Sequence, residues 1–223
     1  MAETVKKNDF IEINFTGKIK DGKIFDTTVK EMAEKEKLES QHKFEPFRLC
    51  VGQEMIISGV DSSFIGKKAN EEYNIEVSPE KGFGKRNPNM MKIVSLNYFK
   101  QQNIMPQPGM YFNINNVLAR IASVSGGRVI LDFNNPLSGK NLVYDIKIRK
   151  LIMDVKEKAE ILTEYFLGLP EDKFKIELNE KNISVSMETE MNEKLKKVLK
   201  EKIKEILNFD VVFEIEKSKR EEK

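Results

Sequence analysis

Residues 46–66 read PFRLCVGQEMIISGVDSSFIG, and the rest of the chain is organised around this stretch. Phe47, Leu49 and Val51 alternate with Arg48 and Cys50, the period of a strand, and Gly52 breaks the run into a turn. Met55, Ile56 and Ile57 follow as an apolar loop, and a short helix over 60–64 is closed by Gly66 as its C-cap. The order is strand, loop, short helix. An apolar loop that runs into a helix suits the floor of a greasy pocket, with backbone N–H groups at the rim to hold a ligand carbonyl. Taken alone, the stretch reads more readily as ordinary core, because buried apolar side chains mostly only pack.

Working outward, residues 9–16 place Ile11, Ile13 and Phe15 on one face and Glu12, Asn14 and Thr16 on the other, which predicts a half-buried strand. Asp21-Gly22 signals a tight turn into a second extended run, Ile24 to Thr27. Residues 29–43, rich in Glu and Lys with Met32 and Ala33, predict an exposed helical excursion. Tyr73, Ile75 and Val77 mark a further strand that ends at Ser78-Pro79. Leu142, Tyr144, Ile146 and Ile148 mark another. Between these two strands, over about 87–134, two apolar runs flank Gly126-Gly127 as a hairpin would, and the segment reads as an inserted β-rich subdomain. Beyond residue 151 the chain is highly charged. Helical spacing over 155–166 stops at Gly168-Leu169-Pro170, two short strands follow at 174–178 and 183–187, and a second helix spans 192–207 before a strand at 211–213. That is an α/β segment, and residues 217–223 read as a solvated tail.

With 223 residues the chain is long enough for two or three cores. Lys and Arg number 38 against 36 Asp and Glu, a net charge of +2, so no strong field points to nucleic acid or an acidic membrane. One cysteine, Cys50, excludes an intramolecular disulfide. His42 is likewise single, which leaves no clustered metal ligands and no Cys-His nucleophile pair, so neither a metal nor a cofactor is expected. No apolar run reaches the roughly 20 residues of a membrane span, and the first ten residues lack a signal-peptide apolar region. The expectation is a cytoplasmic protein, and its Lys, Glu and Ile content fits a heat-adapted source.

The pieces together resemble a known family. Asn14-Phe15-Thr16-Gly17, Asp21-Gly22-Lys23, Phe25-Asp26, Phe47 through Gly59, Ser78-Pro79 and Gly82-Phe83-Gly84 are similar in order and spacing to the FKBP-type peptidyl-prolyl isomerases. Asn134-Asn135-Pro136-Leu137-Ser138-Gly139-Lys140-Asn141-Leu142 resembles the SlyD-like branch, in which a chaperone insert-in-flap domain interrupts the fold, and the charged C-terminal segment resembles the long archaeal type. Phe15 and Phe83 stand where many relatives have Tyr, Val60 where well-known eukaryotic members have Trp, and Asn135 where SlyD relatives commonly have His.

The resemblance implies an α+β fold, an FKBP-like antiparallel sheet wrapped on a short helix, with a β-rich insert and a small C-terminal α/β domain. The implied division is 1–85 with 135–153 for the isomerase domain, 86–134 for the insert and 154–223 for the C-terminal domain. It also implies a cavity lined by Phe15, Phe25, Phe47, Ile56, Val60, Phe83 and Tyr144, a backbone N–H from Ile57 for the substrate carbonyl after proline, and Asp26 near the carbonyl that rotates. Without it, Asp26 reads as a turn or ladder-end residue, and Phe25 and Tyr144 as core. Partners would be unfolded, proline-containing polypeptides. Met91, Ile93, Tyr98, Phe99, Met105, Met110 and Phe112 would bind them, in a segment too small to bury all seven. A pure holdase or assembly module with a degenerate pocket is the alternative. Val211-Val212-Phe213 either completes the C-terminal domain's own sheet or pairs two copies as a homodimer.

Overall fold

The computed structural model describes residues 4–38, 44–114, 117–180 and 182–215. They gather into two compact units, residues 1–18, 22–76 and 143–223 in the first and residues 19–21 and 77–142 in the second. In chain order the elements are β1 (Phe10–Ile19), β2 (Ile24–Thr27), α1 (Lys30–Glu36), β3 (Phe47–Cys50), α2 (Ser58–Asp61) and β4 (Glu72–Val77). There follow β5 (Met91–Ser95), α3 (Leu96–Gln101), β6 (Tyr111–Ile114), β7 (Val117–Ser125), β8 (Arg128–Asp132) and β9 (Leu142–Ile152). The last are α4 (Val155–Leu167), β10 (Phe174–Leu178), β11 (Asn182–Met187), α5 (Glu193–Leu207) and β12 (Asp210–Ile215). His42 and the tail from residue 217 lie outside the described residues.

The first unit is built on a five-stranded sheet in the order β2-β1-β9-β4, with β3 also on β1. β2 and β3 pair antiparallel with opposite ends of β1: Gly17 faces Asp26 at one end, and Phe10 faces Cys50 at the other. The alternation read from the sequence buries Ile11, Ile13, Leu49, Ile146 and Ile148. Val60 of α2 and Phe64 of the 3-10 turn that continues it are buried as well. The other face of β9 and β4 is charged and cross-linked, with Lys18 to Asp145 at 2.7 Å and Lys147 to Glu72 at 3.1 Å.

At β3 that outward face is covered instead. Phe10 and Cys50 are buried because α4 packs on β3. Arg48 reaches across to Glu171 at 3.0 Å, Glu164 at 3.6 Å and Glu157 at 4.0 Å, and the Lys158 ammonium sits 5.7 Å from the Phe10 ring centre. One compact unit therefore runs through residues 153–154, where the sequence sets a domain boundary. α4 starts at Asp154, whose carboxylate accepts the Glu157 N–H at 2.8 Å, and stops at Gly168 with φ +65°. The C-terminal sheet has the order β10-β11-β12, and β11–β12 is a parallel pair with α5 as the crossover.

The second unit carries an antiparallel sheet in the order β5-β8-β7-β6. Gly126 and Gly127, with φ +55° and +75°, make the turn between β7 and β8 that the sequence predicts. The sequence reading contains no helix here, yet α3 forms, started by the Ser95 hydroxyl accepting the Asn97 N–H. Its Phe99 is fully buried among Ala119, Ile121, Val129 and Leu131, all on one face of the sheet.

Candidate active site

Four aromatic rings of the first unit meet in a row. Phe15 on β1 is 5.9 Å from Tyr144 on β9 and 6.4 Å, edge-on, from Phe47 on β3, while Phe25 on β2 meets Tyr144 edge-on at 5.8 Å. Four different strands contribute to the row because β2 and β3 both flank β1, so inward positions at both ends of one strand converge with β9. Gly17 makes the close approach feasible. A Cβ there would stand 2.9 Å from Phe25 Cζ and 3.0 Å from Tyr144 Cε1.

The turn after β2 is pinned to the same strand. The Phe15 N–H donates to Thr28 Oγ1 at 2.9 Å, and the Phe15 carbonyl accepts from the Thr27 hydroxyl at 3.0 Å and the Thr28 N–H at 3.0 Å. These bonds hold Thr27 opposite Thr16 and Asp26 opposite Gly17, and Phe25 falls at the irregularity between the Gly17–Asp26 and Lys18–Ile24 pairs. Asp26 is exposed, and Tyr144 is nearly buried. Burial first, and the negative charge of Asp26 second, push the Tyr144 phenol upward, so it remains a neutral hydroxyl well into the alkaline range.

Ile56 and Ile57 are half-buried in the loop that enters α2, and Ile57 is the residue just before that helix. Val60 follows, fully buried. Asp61, which the sequence reading passes over, is 3% exposed, and its carboxylate accepts the N–H groups of Gly52 at 2.8 Å and Glu54 at 2.9 Å. Asp61 closes α2, and because its partners are backbone N–H groups seven and nine residues earlier, no pattern of residue types marks it in the sequence. Gly17 was legible, as a glycine inside a clean alternation. Phe83 belongs to the second unit, where its carbonyl accepts the Ser138 hydroxyl at 2.9 Å. Cys50 is buried, and burial first, then Asp61 and Asp9, push its thiol up to about 12, which makes it a packing residue without nucleophilic character.

A depression of about 470 Å³ lies over β1, β9 and β4, and Phe15 lines it together with Asn14, Thr16, Glu72, Asn74 and Asp145. Its polar groups already engage one another through Lys18, Asp145 and Asn74, and Lys18 holds the Asp145 carboxyl below its ordinary range.

In the second unit the expected client-facing residues divide. Met91, Ile93, Tyr98, Met105 and Met110 are exposed, Met105 to 84%. Phe99 is core, and Phe112 packs on that core from β6, so these two are corrected from surface to interior: the small α3 needs both rings to close its side of the sheet. The uncovered side carries Met91 and Ile93 of β5, Leu118 of β7 and Tyr111 of β6, since their register partners Asp132, Ile130, Asn113 and Arg120 alternate with the buried Leu131, Val129 and Ala119. Arg86 pairs with Asp132 at the end of β8. Among the described residues no helix is long and apolar enough to cross a membrane, and no group of three or more His, Cys, Asp or Glu is placed to hold a metal ion.

Comparison with known proteins gives a consistent answer. Residues 92–137 match the family described as FKBP26, IF domain. A short-type peptidyl-prolyl cis-trans isomerase of Methanocaldococcus jannaschii is 32% identical over 150 residues, which cover 67% of this chain and 95% of that one. A probable FKBP-type 16 kDa isomerase of Pseudomonas fluorescens is 29% identical over 114 residues, 50% of this chain and 73% of its own. The SlyD isomerase of Haemophilus influenzae is 23% identical over 148 residues, 65% and 70%. With nearly the whole of a 32% identical relative spanned, the chain belongs to the FKBP-type peptidyl-prolyl cis-trans isomerases.

Proposed function

We propose that this chain catalyses rotation about X-Pro peptide bonds of unfolded polypeptides and that it also holds those polypeptides as a chaperone. The barrier to amide rotation is about 18–20 kcal/mol because the planar bond has double-bond character, and uncatalysed X-Pro exchange takes tens of seconds or more. Twisting the bond removes conjugation and much of its charge separation, so an apolar wall favours the twisted amide relative to water. Phe15, Phe25, Phe47, Val60 and Tyr144, with Ile56, supply that wall. The Ile57 N–H takes the carbonyl after proline, and Asp26 sets the polarity beside the carbonyl that rotates. No covalent step is required. The observation that carries this reading is the row of four rings closed around Gly17.

Holding of clients rests on the exposed apolar side of the insert, where methionines repack around varied sequences. Two further readings complete the proposal: the protein works in the cytoplasm, and it pairs as a homodimer through its C-terminal segment, where Val212 and Ile215 of β12 are exposed. Refolding of a proline-limited protein tests the whole. Catalysis at sub-stoichiometric chain is the expected result, whereas suppression of aggregation only at equimolar chain assigns it to the holdase class instead.

A further inference from the structure

The loop between β3 and α2 has an unusual backbone. Gly52 and Glu54 both have positive φ, +85° and +54°, and the second is not glycine. Such a turn keeps its shape only where its surroundings over-determine it. Three contacts do so. The buried Asp61 carboxylate accepts the Gly52 and Glu54 N–H groups, the Met55 sulfur lies 3.3 Å from the Cys50 nitrogen, and the Glu54 carbonyl accepts the Tyr165 hydroxyl at 3.1 Å. Glu54 is thus held at its N–H from α2 and at its carbonyl from α4, a helix 111 residues further along the chain. α4 is itself held to β3 through Arg48 with Glu157 and Glu164, and to β1 through Lys158 and Phe10, while Glu171 in the turn after α4 also meets Arg48. Tyr165 stands edge-on to Phe166, their ring centres 5.1 Å apart.

We infer that Tyr165 is a positioning residue for the isomerase: the C-terminal segment, through this one hydroxyl, fixes the loop from which Ile57 offers its N–H to substrate. The inference rests on the isomerase reading above, since it takes Ile57 as the donor. Ile57 lies three residues beyond Glu54, so a peptide rotation at Glu54 changes the height and direction of the Ile57 N–H. The C-terminal helix is in this view part of the catalytic apparatus and not an appended module.

The test uses the full chain with Tyr165→Phe, which keeps the ring and removes the hydroxyl. For a proline-containing tetrapeptide, kcat/KM falls about two- to tenfold, the worth of one hydrogen bond, and the loss lies mainly in KM because the Ile57 bond holds ground and transition states alike. The amide signals of Glu54, Met55, Ile56 and Ile57 shift or broaden in a nitrogen-15 correlation spectrum. Equal kcat and KM in both proteins overturn the inference, as does a lower melting temperature with unchanged kinetics, which marks a purely structural bond. An inactive parent chain sinks the isomerase reading instead, and the loop amides still decide whether Tyr165 holds the loop: unchanged signals on substitution overturn that claim whatever the activity.

Discussion

Gly17 is the residue on which the aromatic row depends. A methyl group at that position would drive Phe25 and Tyr144 apart by several tenths of an ångström, because neither ring can retreat without leaving the other. For Gly17→Ala we expect a folded protein whose melting point drops by a few degrees and whose kcat/KM on a proline tetrapeptide falls roughly tenfold, the equivalent of about 1.4 kcal/mol; parity with the parent rules out a role for the ring spacing. Tyr144 gives a pH test. Its phenol is raised by burial and by Asp26, so activity stays level through about pH 10, where an ordinary tyrosine ionises, and a fall centred there contradicts the environment described. Cys50 gives a stability test with the opposite bearing. Its folded value of about 12 lies above the unfolded value of about 8.5, so the folded state retains a proton that the unfolded chain releases. Stability therefore declines as pH climbs between those two values, and Cys50→Ala flattens that alkaline slope in urea unfolding. The sequence made Phe15, Phe25 and Tyr144 legible through alternation and family spacing. It did not reveal Asp61 or Tyr165, whose partners are backbone atoms and therefore leave no pattern of residue types.

At the scale of elements, the insert is a sheet with a core on one side only. α3 was not legible, since six residues with one capping serine give too little periodicity to stand out, and with it the interior placement of Phe99 was lost. The β7–β8 hairpin was legible because two consecutive glycines leave few other backbone solutions. Met91, Ile93, Tyr111 and Leu118 stay uncovered and carry the proposed client surface. Replacing residues 86–133 by a short loop removes both partners of the Arg86–Asp132 pair together with that surface. Tetrapeptide isomerisation should persist, while catalysed refolding of a proline-limited protein should fall by an order of magnitude or more, since the client is no longer tethered to the chain that carries the isomerase site. Equal loss of both activities, or of neither, removes the insert as a separate binding site.

At the scale of the molecule, the C-terminal helices and strands were legible as elements, but their seat on β3 was not. Arg48 looked like an outward strand residue, and only three-dimensional placement reveals three glutamates gathered from the far end of the chain. A homodimer through β12 is checked by light scattering of the full chain and of Val212→Lys with Ile215→Lys: the parent should scatter as twice the monomer mass and the variant as a monomer, and two monomers at high concentration dispose of the idea. The strand order has a last consequence, for synthesis. β1 lies next to β9, so the isomerase sheet waits for more than 120 intervening residues, while every strand of the insert sheet falls within Met91 to Asp132. On the ribosome the insert sheet can close first, and a nascent chain of this protein would carry the proposed client surface before its own isomerase sheet is complete.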